Sequence, residues 1–265
     1  MQQSIGPKKS LGQHWLRDAE ALSAICDAAE VQGDDTILEI GPGQGTLTEL
    51  LTKRAKKVIA VEFDEALAQA LPGRVTDENL STVHQDILRF DLTTLPAGYK
   101  VVANIPYYLT SNLIRTLSES VNPPGMATLL IQKEVAQRVA AQPGDMSLLS
   151  VSAQFYWEVS VGKVVQAALF DPPPKVDSQI LVLKRRTEPL LPGVDIQQFF
   201  QIVKAGFASR RKTLLNSLSG GLRIGKGETE GLLGAAGIMS SLRPQSLSLL
   251  QWYDVYKAAK DQGIF

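Results

Sequence analysis

The sequence contains very few of the side chains that build metal sites and covalent crosslinks. Its 265 residues include one cysteine, Cys26, and two histidines, His14 and His84. A single cysteine excludes an intrachain disulfide and a Cys-x-x-Cys metal site. Two histidines argue against a zinc site built from imidazoles. We therefore expect no metal cofactor.

Long apolar runs and an excess of one charge are also absent. No stretch of about 18 uninterrupted apolar residues occurs, so no transmembrane helix is predicted. The N-terminal MQQSIGPKKS lacks the apolar run of a signal peptide. We therefore expect a cytoplasmic protein, and a monomer by default. Basic and acidic residues balance at 27 each, whereas many proteins that bind nucleic acid carry a basic excess.

The first two thirds of the sequence alternate short apolar strands with helices. Strands are predicted at 36–40, 57–62, 80–85, 100–103 and 127–131. Strands separated by helices predict a parallel sheet with helices on both faces. Two Val- and Ile-rich segments, 158–165 and 178–184, are predicted to complete the sheet as an antiparallel pair.

The last third of the sequence has a helical pattern. Helices are predicted at 196–207, 213–218, 228–236 and 246–259. We predict a cofactor-binding catalytic domain over residues 1–186 and a small α-helical domain over residues 187–265. The second domain is the more basic one, with 9 Lys and Arg against 6 Asp and Glu, whereas the first has 18 against 21.

A glycine-rich turn, GPGQG, joins the first predicted strand to the next helix. Gly41 and Gly43 allow the backbone to approach a ligand closely. Glu62 ends the second strand, 21 residues after Gly41, and Asp86 ends the third. Glu62 is placed to bind two ribose hydroxyls and Asp86 an adenine amino group. These features leave two classes open, a nicotinamide-dependent dehydrogenase and a Rossmann-like methyltransferase.

The segment Asn104-Ile105-Pro106-Tyr107 follows the fourth strand and matches the [DN]-x-P-[YF] signature of amino-group methyltransferases. The lone pair of an adenine N6 is conjugated with the ring, so acceptors on its N–H groups are needed to make it available. The Asn104 side-chain oxygen and the Ile105 carbonyl are candidates. Pro106 fixes the backbone, and Tyr107 offers a face for stacking the base. The motif favours the methyltransferase, with S-adenosylmethionine as donor.

The chain resembles the KsgA-type 16S rRNA adenine dimethyltransferases over nearly its whole length. The matching segments are KSLGQHWL at 9–16, residues 39–45 and 104–107, QKEVAQR at 132–138, FDPPPKVDS at 170–178, FASRRKTL at 207–214 and RPQSLS at 243–248. The resemblance implies a Rossmann-like α/β methyltransferase sheet with a small C-terminal helical domain. One departure is Trp15, which stands where phenylalanine is usual.

The resemblance implies a role for each matching site residue. The residues that would bind S-adenosylmethionine are His14, Leu16, Gly41, Gly43, Glu62, Asp86 and Asn104. Asn104 would also contact the target amine, in the catalytic motif with Pro106 and Tyr107. Tyr107 would stack the target adenine, and Phe170 is expected to supply the opposite face.

The implied substrate is a pair of adjacent adenosines in the hairpin at the 3′ end of 16S rRNA. Each would receive two methyl groups, and the partner would be a nearly assembled small ribosomal subunit. The strongest basic patch, Arg210-Arg211-Lys212, is predicted to contact RNA phosphates.

Two relatives of this family remain as alternatives. One is the large-subunit rRNA adenine methyltransferase that confers macrolide resistance; the segments at 207–214 and 243–248 favour the small-subunit enzyme. The other is a mitochondrial transcription factor that mainly binds nucleic acid, against which the lack of an Arg- and Ser-rich leader counts.

Overall fold

A seven-stranded sheet organises the first part of the chain. The computed structural model describes residues 6–8, 11–188, 190–209 and 211–265. The strands are β1 Trp15–Leu16, β2 Thr36–Ile40, β3 Lys57–Glu62, β4 Leu80–His84, β5 Lys100–Asn104, β6 Met126–Gln132, β7 Trp157–Val165, β8 Phe170–Asp171 and β9 Ser178–Arg185. The sheet order is β4-β3-β2-β5-β6-β9-β7, and β1 pairs with β8 in a separate two-stranded ribbon.

The helices are α1 Ala19–Ala28, α2 Thr46–Arg54, α3 Glu65–Ala70, α4 Thr110–Glu119, α5 Lys133–Val139, α6 Leu148–Tyr156, α7 Ile196–Phe207, α8 Leu214–Leu222, α9 Lys226–Ala235 and α10 Leu249–Asp261. Asp18 caps α1 by accepting a hydrogen bond from the Ala21 amide. Ser248 and Gln251 form a capping box at the start of α10. Both caps satisfy amides that a helix leaves unpaired at its first turn.

The strand directions confirm the predicted sheet. Strands β2 to β6 are parallel, and β9 pairs antiparallel with both β6 and β7. The apolar runs of β2, β3, β5 and β6 are buried, as expected of parallel strands with helices on both faces. The carboxyl ends of β2, β3, β4 and β5 therefore lie along one edge, which carries the functional side chains.

Helices α6 to α10 form a second core. It contains Trp252, Phe199 and Leu218, all fully buried, with Tyr256 and other apolar side chains. Gly206 is required here, because a β-carbon at this position would overlap the Trp252 ring. The apolar faces of these short helices are buried against one another, as the helical pattern predicts.

Relative to the predicted division at residue 186, one segment, 138–156, belongs to the other compact unit. One compact unit contains the chain up to Gln137 together with Trp157–Arg185, and the other contains Arg138–Tyr156 and Arg186–Phe265. The segment 138–156 leaves the first unit because Met146 and Val151 are buried in the helical core. The other buried members of that core begin at Leu191, 40 residues after Val151, so the local pattern did not reveal this excursion.

Candidate active site

A pocket of about 320 Å³ lies at the carboxyl edge of the sheet. Its wall includes every residue predicted to bind the cofactor or the target base: His14, Leu16, Gly41, Gly43, Glu62, Asp86, Asn104, Pro106, Tyr107 and Phe170. Its volume is at the lower end of the range typical of small-molecule sites. Residues from six separate parts of the sequence thus meet in one cavity, and four of these parts follow strands that share the carboxyl edge, as predicted.

The glycine loop and Glu62 form one hydrogen-bonded structure. Gly41, Gly43 and Gly45 all have positive φ, at 68°, 56° and 89°, a conformation that favours glycine. The Gly43 amide donates to Glu62 Oε2 at 3.0 Å, and the Asp64 amide donates to Glu62 Oε1 at 2.9 Å. Each carboxylate oxygen keeps further acceptor capacity, so Glu62 is held rigidly at the pocket wall.

A second carboxyl group, Glu39, lies beneath this loop and was not predicted as a site residue. Glu39 is buried, and burial raises its pKa to about 8, with a further contribution from the negative charge of Glu62. Burial likewise raises the pKa of Glu62, although backbone hydrogen bonds oppose the shift. At neutral pH Glu39 therefore stays mostly protonated, so Glu39 and Glu62 do not both carry a negative charge.

Asn104 is anchored by the N-terminal segment. Its Nδ2 donates to the His14 carbonyl at 3.3 Å, and Asn104 lines the pocket, so its Oδ1 is a candidate acceptor for a ligand. His14 is itself fixed, because its Nδ1 donates to the Pro172 carbonyl at 2.7 Å. These bonds tie the motif after β5 to the segment around β1.

Tyr107 presents a ring to the pocket while its hydroxyl is bound. The hydroxyl and Ser178 Oγ are 3.0 Å apart, and burial raises the pKa of the phenol, so the ring stays neutral. The ring that lies nearly parallel to Tyr107 is His14, at a centroid distance of 6.2 Å. Phe170 is on the pocket wall and buried, and its role as the opposite stacking face stays a prediction.

Asp86 contributes a side-chain carboxylate to the site, whereas Leu16 contributes its backbone carbonyl to the structure around the site. Asp86 Oδ1 caps the turn at 87–89 by accepting from the Leu88 amide at 3.0 Å, which leaves Oδ2 for a ligand. Leu16 is buried, and its carbonyl accepts from Thr46 Oγ1 at 2.9 Å. The start of α2 is thereby tied to β1.

Several apolar or aromatic residues of the pocket wall were not predicted from the sequence, and four of them adjoin predicted site residues: Trp15, Phe63, Leu88 and Tyr108. Each lies next in sequence or within two residues of a predicted site residue. Phe63 and Tyr108 are 57% and 67% exposed, so a bound ligand can reach them. The only signal in the sequence was this adjacency.

The predicted RNA-binding patch lies between α7 and α8 in the helical unit. Arg211 and Lys212 are exposed, and the Lys212 amide donates to the Ser209 carbonyl at 3.0 Å. Neither forms a salt bridge with another described residue. Arg210 lies outside the described residues.

The pocket fits the groups of S-adenosylmethionine. Loop positions with positive φ allow close approach of a ligand, and a β-carbon at Gly43 would lie 3.3 Å from the Trp15 ring nitrogen. Glu62 offers acceptors for ribose hydroxyls, and the pocket wall is largely apolar around them. Within the described ranges, no group of three or more His, Cys, Asp or Glu side chains is arranged to hold a metal. No helix in the same ranges is long and apolar enough to cross a membrane.

Comparison with known proteins places the chain in a single family. The model of the family described as ribosomal RNA adenine dimethylase matches residues 6–261. The ribosomal RNA small subunit methyltransferase A of Dehalococcoides mccartyi is 42% identical over 257 residues, covering 94% of this chain and 87% of the relative.

Solved structures share the fold over almost the whole chain. A dimethyladenosine transferase from Plasmodium falciparum has a TM-score of 0.82 at 26% identity, covering 94% of this chain and 98% of that one. The 23S rRNA methyltransferase ErmE has a TM-score of 0.75 at 30% identity, covering 93% and 99%.

Proposed function

Because the chain belongs to the ribosomal RNA adenine dimethylase family, we propose that it methylates N6 of two adjacent adenosines in the 3′-terminal hairpin of small-subunit rRNA. It is an S-adenosylmethionine-dependent methyltransferase, and the product is N6,N6-dimethyladenosine. The observation that carries the proposal is the single pocket in which the glycine loop and Glu62 meet Asn104–Tyr107. The similarity to a small-subunit enzyme at 42% identity favours this substrate over the large subunit and over a non-catalytic role.

Each cofactor-binding residue acts through a group that the site leaves available. Glu62 accepts from the ribose hydroxyls, and Asp86 Oδ2 accepts from the adenine amine. Gly41 and Gly43 let the loop backbone approach the ligand, while His14 and Leu16 close the N-terminal side. The bound donor supplies an electrophilic methyl group on a sulfonium.

The target adenine is activated by position rather than by a general base. Asn104 Oδ1 and the Ile105 carbonyl accept from the N6 hydrogens and make the nitrogen lone pair available, while Tyr107 stacks the ring. Once methylated, the nitrogen carries a positive charge and loses its proton readily. A base within a helix cannot enter such a pocket, so the substrate must be unpaired or flipped out.

Replacing Glu62 by alanine is expected to weaken S-adenosylmethionine binding on the order of 100-fold, because a bidentate charged acceptor is lost. Isothermal titration calorimetry measures the change. Glu62→Gln keeps the shape and one acceptor oxygen, and should lose less. The exposed Glu65→Ala serves as a matched control, and equal affinity of Glu62→Ala and wild type would reject the ribose role.

We propose that the helical unit contributes phosphate contacts through Arg211 and Lys212, with Arg210 as a third predicted member of the patch. Arg211→Ala with Lys212→Ala should weaken binding to small subunits and reduce the slope of log affinity against log salt by about 1 to 2. Lys260→Ala removes one exposed charge on α10 as a control. The same salt slope in the double variant and the wild type would remove the patch from the interface.

The choice of particle tests the proposed substrate. Undermethylated small and large subunits are incubated separately with labelled S-adenosylmethionine and the protein. Label in the small subunit alone is the expected result. Label only in the large subunit would transfer the protein to the macrolide-resistance type of activity. The proposed cytoplasmic location follows from this substrate.

A further inference from the structure

The pocket wall contains a buried hydrogen-bond donor, the indole N–H of Trp15. Trp15, in β1, is 9% exposed and lies on the pocket wall. Its Nε1 is buried and has no hydrogen-bond partner among the described residues. An indole N–H can only donate, and buried donors nearly always have an acceptor. The position of this group indicates that a ligand supplies the acceptor.

The indole nitrogen lies against the glycine loop. A β-carbon at Gly43 would be 3.3 Å from Trp15 Nε1 and 3.4 Å from Trp15 Cδ1. Gly43 stands two residues before Gly45, the N-cap of α2. The bond from Thr46 Oγ1 to the Leu16 carbonyl holds the start of α2 beside β1. Trp15 Nε1 and the first turn of α2 are therefore close together.

Both features favour a negatively charged acceptor. Helix α2 has nine residues, and its N-cap makes no side-chain hydrogen bond, so the first amides and the positive end of the helix dipole are available. The indole N–H adds a fixed donor at the same place. The Gly43 amide already donates to the Glu62 carboxylate. The donors available to an anion are therefore Trp15 Nε1 and the first amides of α2, whereas Glu62 is the acceptor for the ribose.

We infer that Trp15 Nε1 donates a hydrogen bond to the carboxylate at the amino-acid end of S-adenosylmethionine. This inference rests on the proposed function and specifies how the site holds the donor. The carboxylate is the negatively charged group of the cofactor. The ribose hydroxyls and the adenine amine are matched by Glu62 and Asp86.

Trp15→Phe tests the inference because it keeps an apolar ring and removes only the donor and part of the indole. Calorimetry compares three ligands: S-adenosylmethionine, S-adenosylhomocysteine and 5′-methylthioadenosine, which ends at the sulfur and lacks the carboxylate. We expect the variant to bind the first two about ten-fold more weakly. Its affinity for 5′-methylthioadenosine should change less than two-fold.

Trp252→Phe is the matched control. Trp252 Nε1 is also buried without a partner among the described residues, but Trp252 belongs to the helical core. This variant should bind all three ligands like the wild type. Equal losses for all three ligands in Trp15→Phe would show that the ring only packs, and no loss for any would show that the N–H is not used. Either result overturns the inference.

A spectroscopic readout covers the case in which Trp15→Phe does not fold. The sequence has three tryptophans, so nitrogen-15 labelling of tryptophan gives three indole N–H signals in the wild-type protein. Trp252→Phe and Trp157→Phe assign them by elimination. The Trp15 signal should shift with S-adenosylhomocysteine and stay nearly unchanged with 5′-methylthioadenosine. Equal shifts with both ligands would contradict the inference, whereas failure of the wild type to bind any of them would instead reject the proposed function.

Discussion

Asn104→Ala is expected to reduce methyl transfer by at least about 10³-fold while leaving the fold intact. The variant loses the side-chain oxygen that accepts from the target N6, an interaction that matters most as the nitrogen becomes nucleophilic. Removing one such preorganised group lowers kcat by about 10²–10³-fold in other enzymes. It also loses the Nδ2 bond to the His14 carbonyl, which loosens the pocket further. Single-turnover transfer to undermethylated small subunits measures the loss.

Asn104→Asp separates the two contributions. It keeps an acceptor oxygen but cannot donate to the His14 carbonyl, so it should retain more activity than the alanine variant. Circular dichroism and the melting temperature establish that both variants fold. Turnover of Asn104→Ala within a few-fold of the wild type would remove Asn104 from the mechanism.

Glu39→Gln is expected to change how stability depends on pH. Burial raises the pKa of Glu39 to about 8 in the folded protein, from about 4.3 in an unfolded chain. Because the folded pKa is the higher one, stability is fully present below the unfolded value and is lost as pH rises toward and through 8. Between pH 5 and pH 8 the wild type should lose on the order of 3 kcal/mol through this group. The variant, which cannot ionise, should lose none of that amount.

Denaturant unfolding at pH 5 and pH 8 tests this expectation. The quantity of interest is the change in unfolding free energy between the two pH values, because a buried amide at position 39 also alters stability at any single pH. Glu65→Gln, at an exposed position on α3, should follow the wild type. The same pH dependence in Glu39→Gln and wild type would contradict a raised pKa at Glu39.

The sheet could be predicted from the sequence because short local patterns define its strands. Apolar runs such as 36–40 and 57–62 are bounded by turn residues, and their observed limits agree with the prediction. Because the carboxyl ends of parallel strands lie along one edge of the sheet, Glu62, Asp86 and Asn104 were expected around one cavity, where they are found. The tight turn of the glycine loop could also be predicted, since positive φ strongly favours glycine.

Features that depend on distant contacts did not follow from the sequence. The ribbon of β1 and β8 joins Leu16 to Phe170 across the chain, and its two-residue strands have no periodicity to detect. The excursion of residues 138–156 into the helical core depends on partners such as Phe199 and Trp252. The buried N–H of Trp15 and the protonated state of Glu39 both result from burial. Burial of an individual side chain is not predictable from its neighbours in sequence alone.

The most direct test of the central claim is to map the methylated nucleotides. Undermethylated small subunits are treated with the protein and labelled S-adenosylmethionine, and the rRNA is digested and analysed by mass spectrometry. We predict N6,N6-dimethyladenosine at two adjacent positions in the 3′-terminal hairpin, with four methyl groups transferred per subunit. Methylation at any other base, or transfer that stops at one methyl group per adenosine, would contradict this account.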